Sequence, residues 1–331
     1  MLLLNSIVSY VTIYLGFFIY IGGFLGSLLN IFILHSNRSN PCTFLLIYSS
    51  IVDCFVLNIG LIERILAVGF SIDPTLTNLI WCKIRTYGLR ISTLISLYMV
   101  CLMCVDRFFV SCRTIQWRQL SNLFFIRWTA FFVTLLIAIE GLPFLILTDI
   151  LRTNTSISCT PMYNLIFAKY ASFFSIPILF GLLPLSILIL MSILIYYKLH
   201  SRTHLRKAQR TLASIILFRI LLVMISCGPY TSYFVYSAIA SLTTPIKSAD
   251  RVAIENFIIS ILSVVLYITY SSSFIVYYCT SPTYRKQLIE LFIRCQGRRG
   301  GRIRPAPMVM ARFAQTNPPA VLNKREDDQI A

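Results

Sequence analysis

Seven long stretches of this chain are almost free of charge, and each can cross the hydrocarbon core of a bilayer as a helix. Three contain no charged residue, and the other four contain one each: Asp53, Arg90, Glu140 and Arg219. In chain order they cover residues 7–34, 41–62, 88–105, 128–148, 170–197, 211–240 and 256–284. We therefore predict an all-α membrane protein, a bundle of seven transmembrane helices, and we number these stretches as the first to seventh spans.

The composition excludes several other classes of protein. Only 12% of the residues are charged and 57% are hydrophobic, whereas soluble domains carry roughly 25% charged residues. This excludes a soluble enzyme and a compact nucleic-acid-binding protein. The chain has three histidines and lacks the HExxH, nucleophile-elbow and Walker sequences. We therefore expect no enzymatic activity and no cofactor.

The distribution of basic residues predicts the orientation in the membrane. The loops 35–40, 107–127 and 198–210 hold ten Lys or Arg residues, and the segment after Tyr284 holds ten more, against six in the loops 69–87, 149–169 and 241–255. Basic residues favour the cytoplasmic side. We predict a plasma-membrane protein with a short extracellular N-terminus (1–6), a transmembrane domain (7–284), a short amphipathic eighth helix (285–295) and a disordered basic cytoplasmic tail (296–331).

This orientation leaves two of the ten cysteines outside the cell. The other eight fall within spans or on the reducing side: Cys42, Cys54, Cys101, Cys104, Cys112, Cys227, Cys279 and Cys295. We predict a disulfide between Cys82 and Cys159. Asn154 begins a glycosylation sequon on the same outer loop, and Cys295 is a candidate palmitoylation site after the amphipathic segment.

The two ends of the third span carry residues that point to a family. Cys82 opens this span and Asp106-Arg107-Phe108 closes it, 25 residues later at Arg107, or roughly 38 Å along a helix. In this the chain resembles the rhodopsin-like (class A) G-protein-coupled receptors over residues 7 to about 295. Other residues match anchors of that family in order: Asn30, Asp53, Ser96, Trp128, Pro184, Pro229 and Tyr277.

The resemblance implies a function and its partners. It implies a receptor in the lipid bilayer that passes the signal of an extracellular ligand to a heterotrimeric G protein, without nucleic acid. It assigns coupling and switching to Asp106, Arg107, Phe108, Pro229 and Tyr277. It assigns an intramembrane polar core to Asn30, Asp53, Ser96 and Ser273, with Asp53 as a candidate site for Na⁺ and no other metal.

The chain also departs from the family pattern. Cys227 replaces the tryptophan of the sixth helix, Ser273 and Phe274 replace the Asn-Pro of the seventh, and Gln209 replaces the acid that holds the arginine of the triplet. We expect Arg107 to be held by Asp106 alone, which implies a weakly locked resting state. A receptor-like protein without coupling and a small transporter remain alternatives.

The predicted ligand pocket lies in the outer half of the bundle. Its candidate residues are Glu63, Arg90, Glu140, Tyr230, Tyr233 and Phe234. Leu89 occupies the position at which amine receptors carry an aspartate, so we do not expect a monoamine ligand. Arg90 either binds an acidic group, on a peptide or a small carboxylate, or forms an internal ion pair with Glu63.

Overall fold

The prediction of a seven-helix membrane bundle is confirmed. The structure is a computed structural model, and it describes residues 2–35, 38–112, 114–152, 157–160, 165–200, 207–243 and 248–297. Seven helical spans within this part are long and apolar enough to cross a membrane, which makes the chain a multi-pass membrane protein. They are Ser6–His35, Pro41–Gly69, Leu79–Ser111, Leu123–Leu147, Ala171–Tyr197, Leu217–Ala240 and Asp250–Ser271.

The described residues are almost entirely helical. The α-helices are Leu2–His35, Pro41–Val56, Leu79–Ser111, Ile115–Gln119, Leu123–Leu147, Leu165–Tyr170, Leu183–His200, Lys207–Thr243, Ala249–Ser271, Ser273–Thr280 and Pro282–Gly297. Three segments are π-helix, namely Leu57–Ile62, Ile65–Gly69 and Ala171–Leu182, and Pro74–Leu76 is a 3₁₀ turn. Met1–Glu290 forms one compact unit. Of the second unit, which begins at Leu291, the structure describes residues 291–297, the end of the helix Pro282–Gly297.

The third span begins nine residues before the predicted start, at Leu79 rather than residue 88. The side chain of Asn78 caps this helix by accepting hydrogen bonds from the backbone N–H groups of Ile80 (2.9 Å) and Trp81 (3.2 Å). Its first turns carry the charged residues Lys83 and Arg85, so they are not part of the uncharged stretch from which the span was predicted. The physical helix is therefore longer than its apolar part.

The predicted seventh span, 256–284, is a helix with interruptions. One helix ends at Ser271, Ser272 forms a turn, and a new helix runs from Ser273 to Thr280. Ser281 then caps Pro282–Gly297, with its hydroxyl accepting from the N–H of Tyr284 at 3.2 Å, and proline suits the first turn of a helix. This last helix covers the residues predicted for the eighth helix, and its position on the membrane surface stays a prediction.

The π-helical segments lie in the second and fifth spans, in the halves of these spans nearer to the disulfide between Cys82 and Cys159. Such wide turns are rare and often occur at functional sites. In the second span, Glu63 and Arg64 lie between two of them. The wide turns therefore set the direction of two ionisable side chains within a membrane-spanning helix.

A short hairpin and a disulfide close one end of the bundle, which we call the disulfide end. Strand β1 (Asp149–Arg152) pairs antiparallel with strand β2 (Ile157–Thr160), with Ile150 opposite Cys159. Cys159 is bonded to Cys82, which confirms the predicted disulfide. The bond ties the hairpin to the first turn of the third span.

The first and seventh spans pack closely at a glycine, and this gives a direct test of the packing. A Cβ added at Gly23 would lie 2.5 Å from Cβ and 2.8 Å from Cα of Ser271. We expect Gly23→Ala to lower the free energy of unfolding by about 1–3 kcal/mol, because backbone must move to admit the methyl group. Gly22→Ala is the matched control, since nothing lies within 4 Å of its added Cβ. Equal midpoints of thermal unfolding for the two variants would contradict this packing.

Candidate functional site

A cluster of polar side chains lies in the middle of the bundle, around Asp53. This carboxylate is completely buried. Its Oδ1 accepts a hydrogen bond from Ser96 at 2.5 Å, and its Oδ2 accepts from Ser273 at 3.0 Å and from Ser49 at 3.5 Å. The structure therefore brings together Asp53, Ser96 and Ser273 of the predicted polar core, and it connects the second, the third and the broken seventh helices.

Arg219 of the sixth span is the counter-charge of Asp53. Its Nη2 lies 3.2 Å from Oδ2 of Asp53 and donates to Ser49 at 3.0 Å, while its Nη1 donates to Ser273 at 2.6 Å. Arg219 is only 3% exposed. The ion pair leaves this part of the interior with no net charge. Sodium binding at Asp53 stays a prediction, and the ion would have to compete with this guanidinium.

The pairing of Arg219 is not among the predictions, because the sequence shows that this charge needs a partner but not which of the two buried acids it takes. Arg219 is the single charge in the sixth predicted span, as Asp53 is in the second. Charges of opposite sign within membrane spans are expected to pair, because an isolated charge in a bilayer is costly. Asn30, the fourth predicted core residue, instead accepts a hydrogen bond from the hydroxyl of Tyr284 at 2.5 Å.

The opposite end of the third span carries a buried ion pair. Arg107 donates from Nε at 3.1 Å and from Nη2 at 2.7 Å to Oδ2 of Asp106. The second oxygen of Asp106 accepts from the hydroxyl of Ser121 at 2.5 Å. Among the described residues, Asp106 is the acidic partner of Arg107. The thiol of Cys42 is also within hydrogen-bonding reach of Arg107, so Asp106 is not its sole partner as predicted. Gln209 lies in the helix Lys207–Thr243, but its side chain is outside the described residues.

The other predicted switch residues lie near this end and in the sixth span. Tyr277 is buried, with its ring 5.8 Å from that of Tyr284, and its hydroxyl is within reach of Arg219. Phe108 packs beside Phe109, with ring centroids 6.0 Å apart. Pro229 lies inside the sixth helix, where it removes one backbone donor.

A cavity of about 300 Å³ opens between the spans toward the disulfide end. Six of the seven spans, the second to the seventh, contribute to its wall, and the lining includes arginine, threonine and serine side chains and five aromatic rings. Of the predicted pocket residues, Arg90 and Tyr230 line it. Tyr233 donates to the carbonyl of Glu255 at 3.2 Å, and Phe234 packs against Tyr230 at 4.9 Å.

Two predicted pocket acids neutralise cations of the cavity wall. Glu140 lies 3.6 Å from Arg90, and the hydroxyl of Ser175 bridges them by accepting from Arg90 and donating to Glu140. Glu63 pairs with Arg85 at 2.6 Å. The alternative of an Arg90–Glu63 pair is wrong. Five residues separate Arg85 from Arg90, which turns their side chains about 140° apart around the helix axis, so they meet different spans.

Arg64 is the third arginine of the cavity wall, and it is not among the predicted pocket residues. It donates from Nη2 to the carbonyl oxygen of Ser260 at 3.2 Å. Within the described part of the chain it forms no ion pair, and its Nε is buried without an acceptor. The sequence signal was the Glu63-Arg64 pair at the end of an apolar stretch. The two cations near Glu63 are Arg64 and Arg85, and Glu63 pairs with Arg85. Because adjacent residues on a helix point in different directions, Arg64 is left without this carboxylate.

Two predicted modification sites fall on residues that the structure does not describe. Asn154 lies in 153–156, which is outside the described residues. Cys295 lies in the helix Pro282–Gly297, but its side chain is likewise outside them. Both modifications stay predictions.

No protein-family model matches the chain, and neither does any curated protein.

Proposed function

We propose that this protein is a rhodopsin-like receptor that converts binding of an extracellular ligand into nucleotide exchange on a heterotrimeric G protein. The observation that carries the proposal is the arrangement along the third span. A cavity lies near Cys82, a buried Asp106–Arg107 pair lies at the far end, and the Asp53 cluster lies between them. Such an arrangement suits the transmission of a signal from one side of a membrane to the other.

The disulfide supports the proposed orientation of the chain in the membrane. Disulfides persist in oxidising compartments, and the bond between Cys82 and Cys159 therefore favours an extracellular disulfide end. The basic connections then face the cytoplasm, in agreement with the positive-inside rule. In this orientation the helix Pro282–Gly297 lies on the cytoplasmic side. Its basic residues Arg285 and Lys286 can contact anionic headgroups there.

The mechanism we propose is a shift between two packings of the sixth span. Tyr230 lines the cavity, and Arg219 lies eleven residues away on the same helix, or about 16 Å along its axis. A ligand that favours a different position of Tyr230 also favours a different position of Arg219 relative to Asp53 and Ser273. Binding thereby biases the cytoplasmic end of the helix, in the way that any ligand selects one of two states.

The test is nucleotide exchange on a panel of G proteins, in membranes that contain the full chain. We expect exchange above that of empty membranes, and we expect Arg107→Ala to abolish it, because this side chain is proposed to meet the G protein. Ser111→Ala, one helical turn further on, is the control, since its hydroxyl bonds only to the carbonyl of Arg107 among the described residues. Nucleotide exchange that persists in an Arg107→Ala variant that folds and reaches the cell surface would contradict the proposal.

A further inference from the structure

We propose that the cavity at the disulfide end binds an amphipathic monoanion, a small carboxylate with an aromatic or aliphatic body. The inference rests on the proposed function in treating this cavity as the ligand site. Three arginines line the cavity, namely Arg64, Arg85 and Arg90. Two carboxylates, Glu63 and Glu140, pair with two of them. The wall therefore carries one positive charge more than its internal acids neutralise.

Arg64 is the residue that carries this excess charge. Its Nη2 donates to a neutral carbonyl oxygen, that of Ser260, and its Nε is buried with no acceptor among the residues that the structure describes. A guanidinium inside a membrane protein is costly unless an anion lies next to it. Its planar group presents parallel N–H donors that match the two oxygens of a carboxylate. A bound carboxylate would supply the charge and the acceptor that the described residues do not provide.

The rest of the wall selects the body of the ligand. Leu89, Phe144, Phe180 and Leu266 give apolar contacts, and several tyrosines add rings with hydroxyl groups: Tyr230, Tyr267 and Tyr270. A volume of about 300 Å³ admits a small molecule or the end of a longer one. It is too small for a folded peptide. A primary amine would bring a second uncompensated cation next to Arg64, and a dianion would exceed the single excess charge.

The first experiment uses the unmodified full chain in lipid nanodiscs and follows its thermal unfolding. The probes are benzoate, phenylpropanoate, indolepropanoate and decanoate, each beside its primary amide and amine, with phenyl phosphate as the dianion. We expect at least one carboxylate to raise the midpoint, its amide and amine to leave it unchanged, and phenyl phosphate to raise it less. The inference is overturned if every carboxylate is inactive, if an amine stabilises as well as its acid, or if phenyl phosphate stabilises best.

Variants then assign the binding to Arg64. We expect Arg64→Gln to weaken the apparent affinity for the active carboxylate by about 10- to 100-fold, the loss of one charge-assisted contact. Arg64→Lys keeps the charge and should weaken it less. Lys83→Gln is the control, because this half-buried cation lies at the same end outside the cavity wall. If Arg64→Gln unfolds, Leu89→Trp, which fills the cavity, should abolish binding without any change in charge. Unchanged affinity in a folded Arg64→Gln variant or in Leu89→Trp would overturn the assignment.

The ligand class and the receptor proposal can fail separately. Binding of a carboxylate without any nucleotide exchange would support the ligand class and contradict the G-protein function. Arg107-dependent exchange, together with the absence of binding by every carboxylate, would overturn the ligand class and support the receptor.

Discussion

Replacing Arg219 with leucine is expected to destabilise the bundle by about 3–5 kcal/mol. The variant leaves Asp53 completely buried without its counter-charge, and it removes the donor that Ser49 and Ser273 share. The measurement is the midpoint of thermal unfolding of the full chain in nanodiscs, together with the fraction of protein that reaches the cell surface.

The double variant Asp53→Asn/Arg219→Leu separates the loss of the pair from the loss of either charge. It removes both charges, and the amide can still bond to both serines, because its oxygen accepts from one hydroxyl and its NH₂ group donates to the other. We therefore expect it to recover most of the stability that Arg219→Leu loses, since replacing both members of a buried ion pair is often close to neutral. Additive losses in the double variant would show that the two side chains do not act as a pair.

The same variants test the sodium prediction. In the unmodified chain the guanidinium of Arg219 already contacts Asp53, so we expect sodium chloride and choline chloride to have the same effect on the midpoint. In Arg219→Leu the carboxylate of Asp53 has lost its counter-charge, and the hydroxyls of Ser49, Ser96 and Ser273 still surround it. Oxygen ligands of this kind suit a hard cation, and sodium should then stabilise this variant selectively.

The arrangement of the spans could be predicted because it depends on composition. An uncharged stretch long enough for the bilayer identifies a span whatever its neighbours are, and the charge-poor sequences around Asp53 and Glu140 are unambiguous in this respect. The ends of the spans could not be found in this way. The start of the third span depends on a cap at Asn78 and carries charges, and the break at Ser272 lies inside an apolar run.

The partners of the buried charges could not be predicted from sequence position. Arg85 and Arg90 both lie on the third span, next to the span that carries Glu63. Only the rotation of the third helix about its axis determines that Arg85 forms the ion pair with Glu63. Arg219 and Asp53 are 166 residues apart, so their contact depends on where the folded bundle places the sixth span relative to the second. The sequence identified Asp53 as a polar centre, and the three-dimensional packing supplied its counter-charge.

The second large effect is expected at the other end of the third span, and it rests on the proposed function. Asp106→Asn should raise basal nucleotide exchange several-fold and lower the stability by about 3–5 kcal/mol. Asp106 is completely buried and accepts two hydrogen bonds from Arg107. Without its charge, the guanidinium is no longer held against its own helix and can extend toward a G protein. The measurement is the rate of exchange without ligand, normalised to the amount of receptor at the surface.

Two further variants determine whether the released Arg107 causes this rise. Adding Arg107→Ala to Asp106→Asn should return exchange to background, because the group that is proposed to contact the G protein is then missing. Gln209→Glu should act in the opposite direction in the unmodified chain, since it would place a second acid on the sixth helix and hold Arg107 more firmly. Ser121→Ala removes one hydrogen bond from Asp106 but keeps its charge, so a rise in exchange smaller than that of Asp106→Asn is expected. An equal rise in both would show that the orientation of the carboxylate, rather than its charge, keeps the arginine in place.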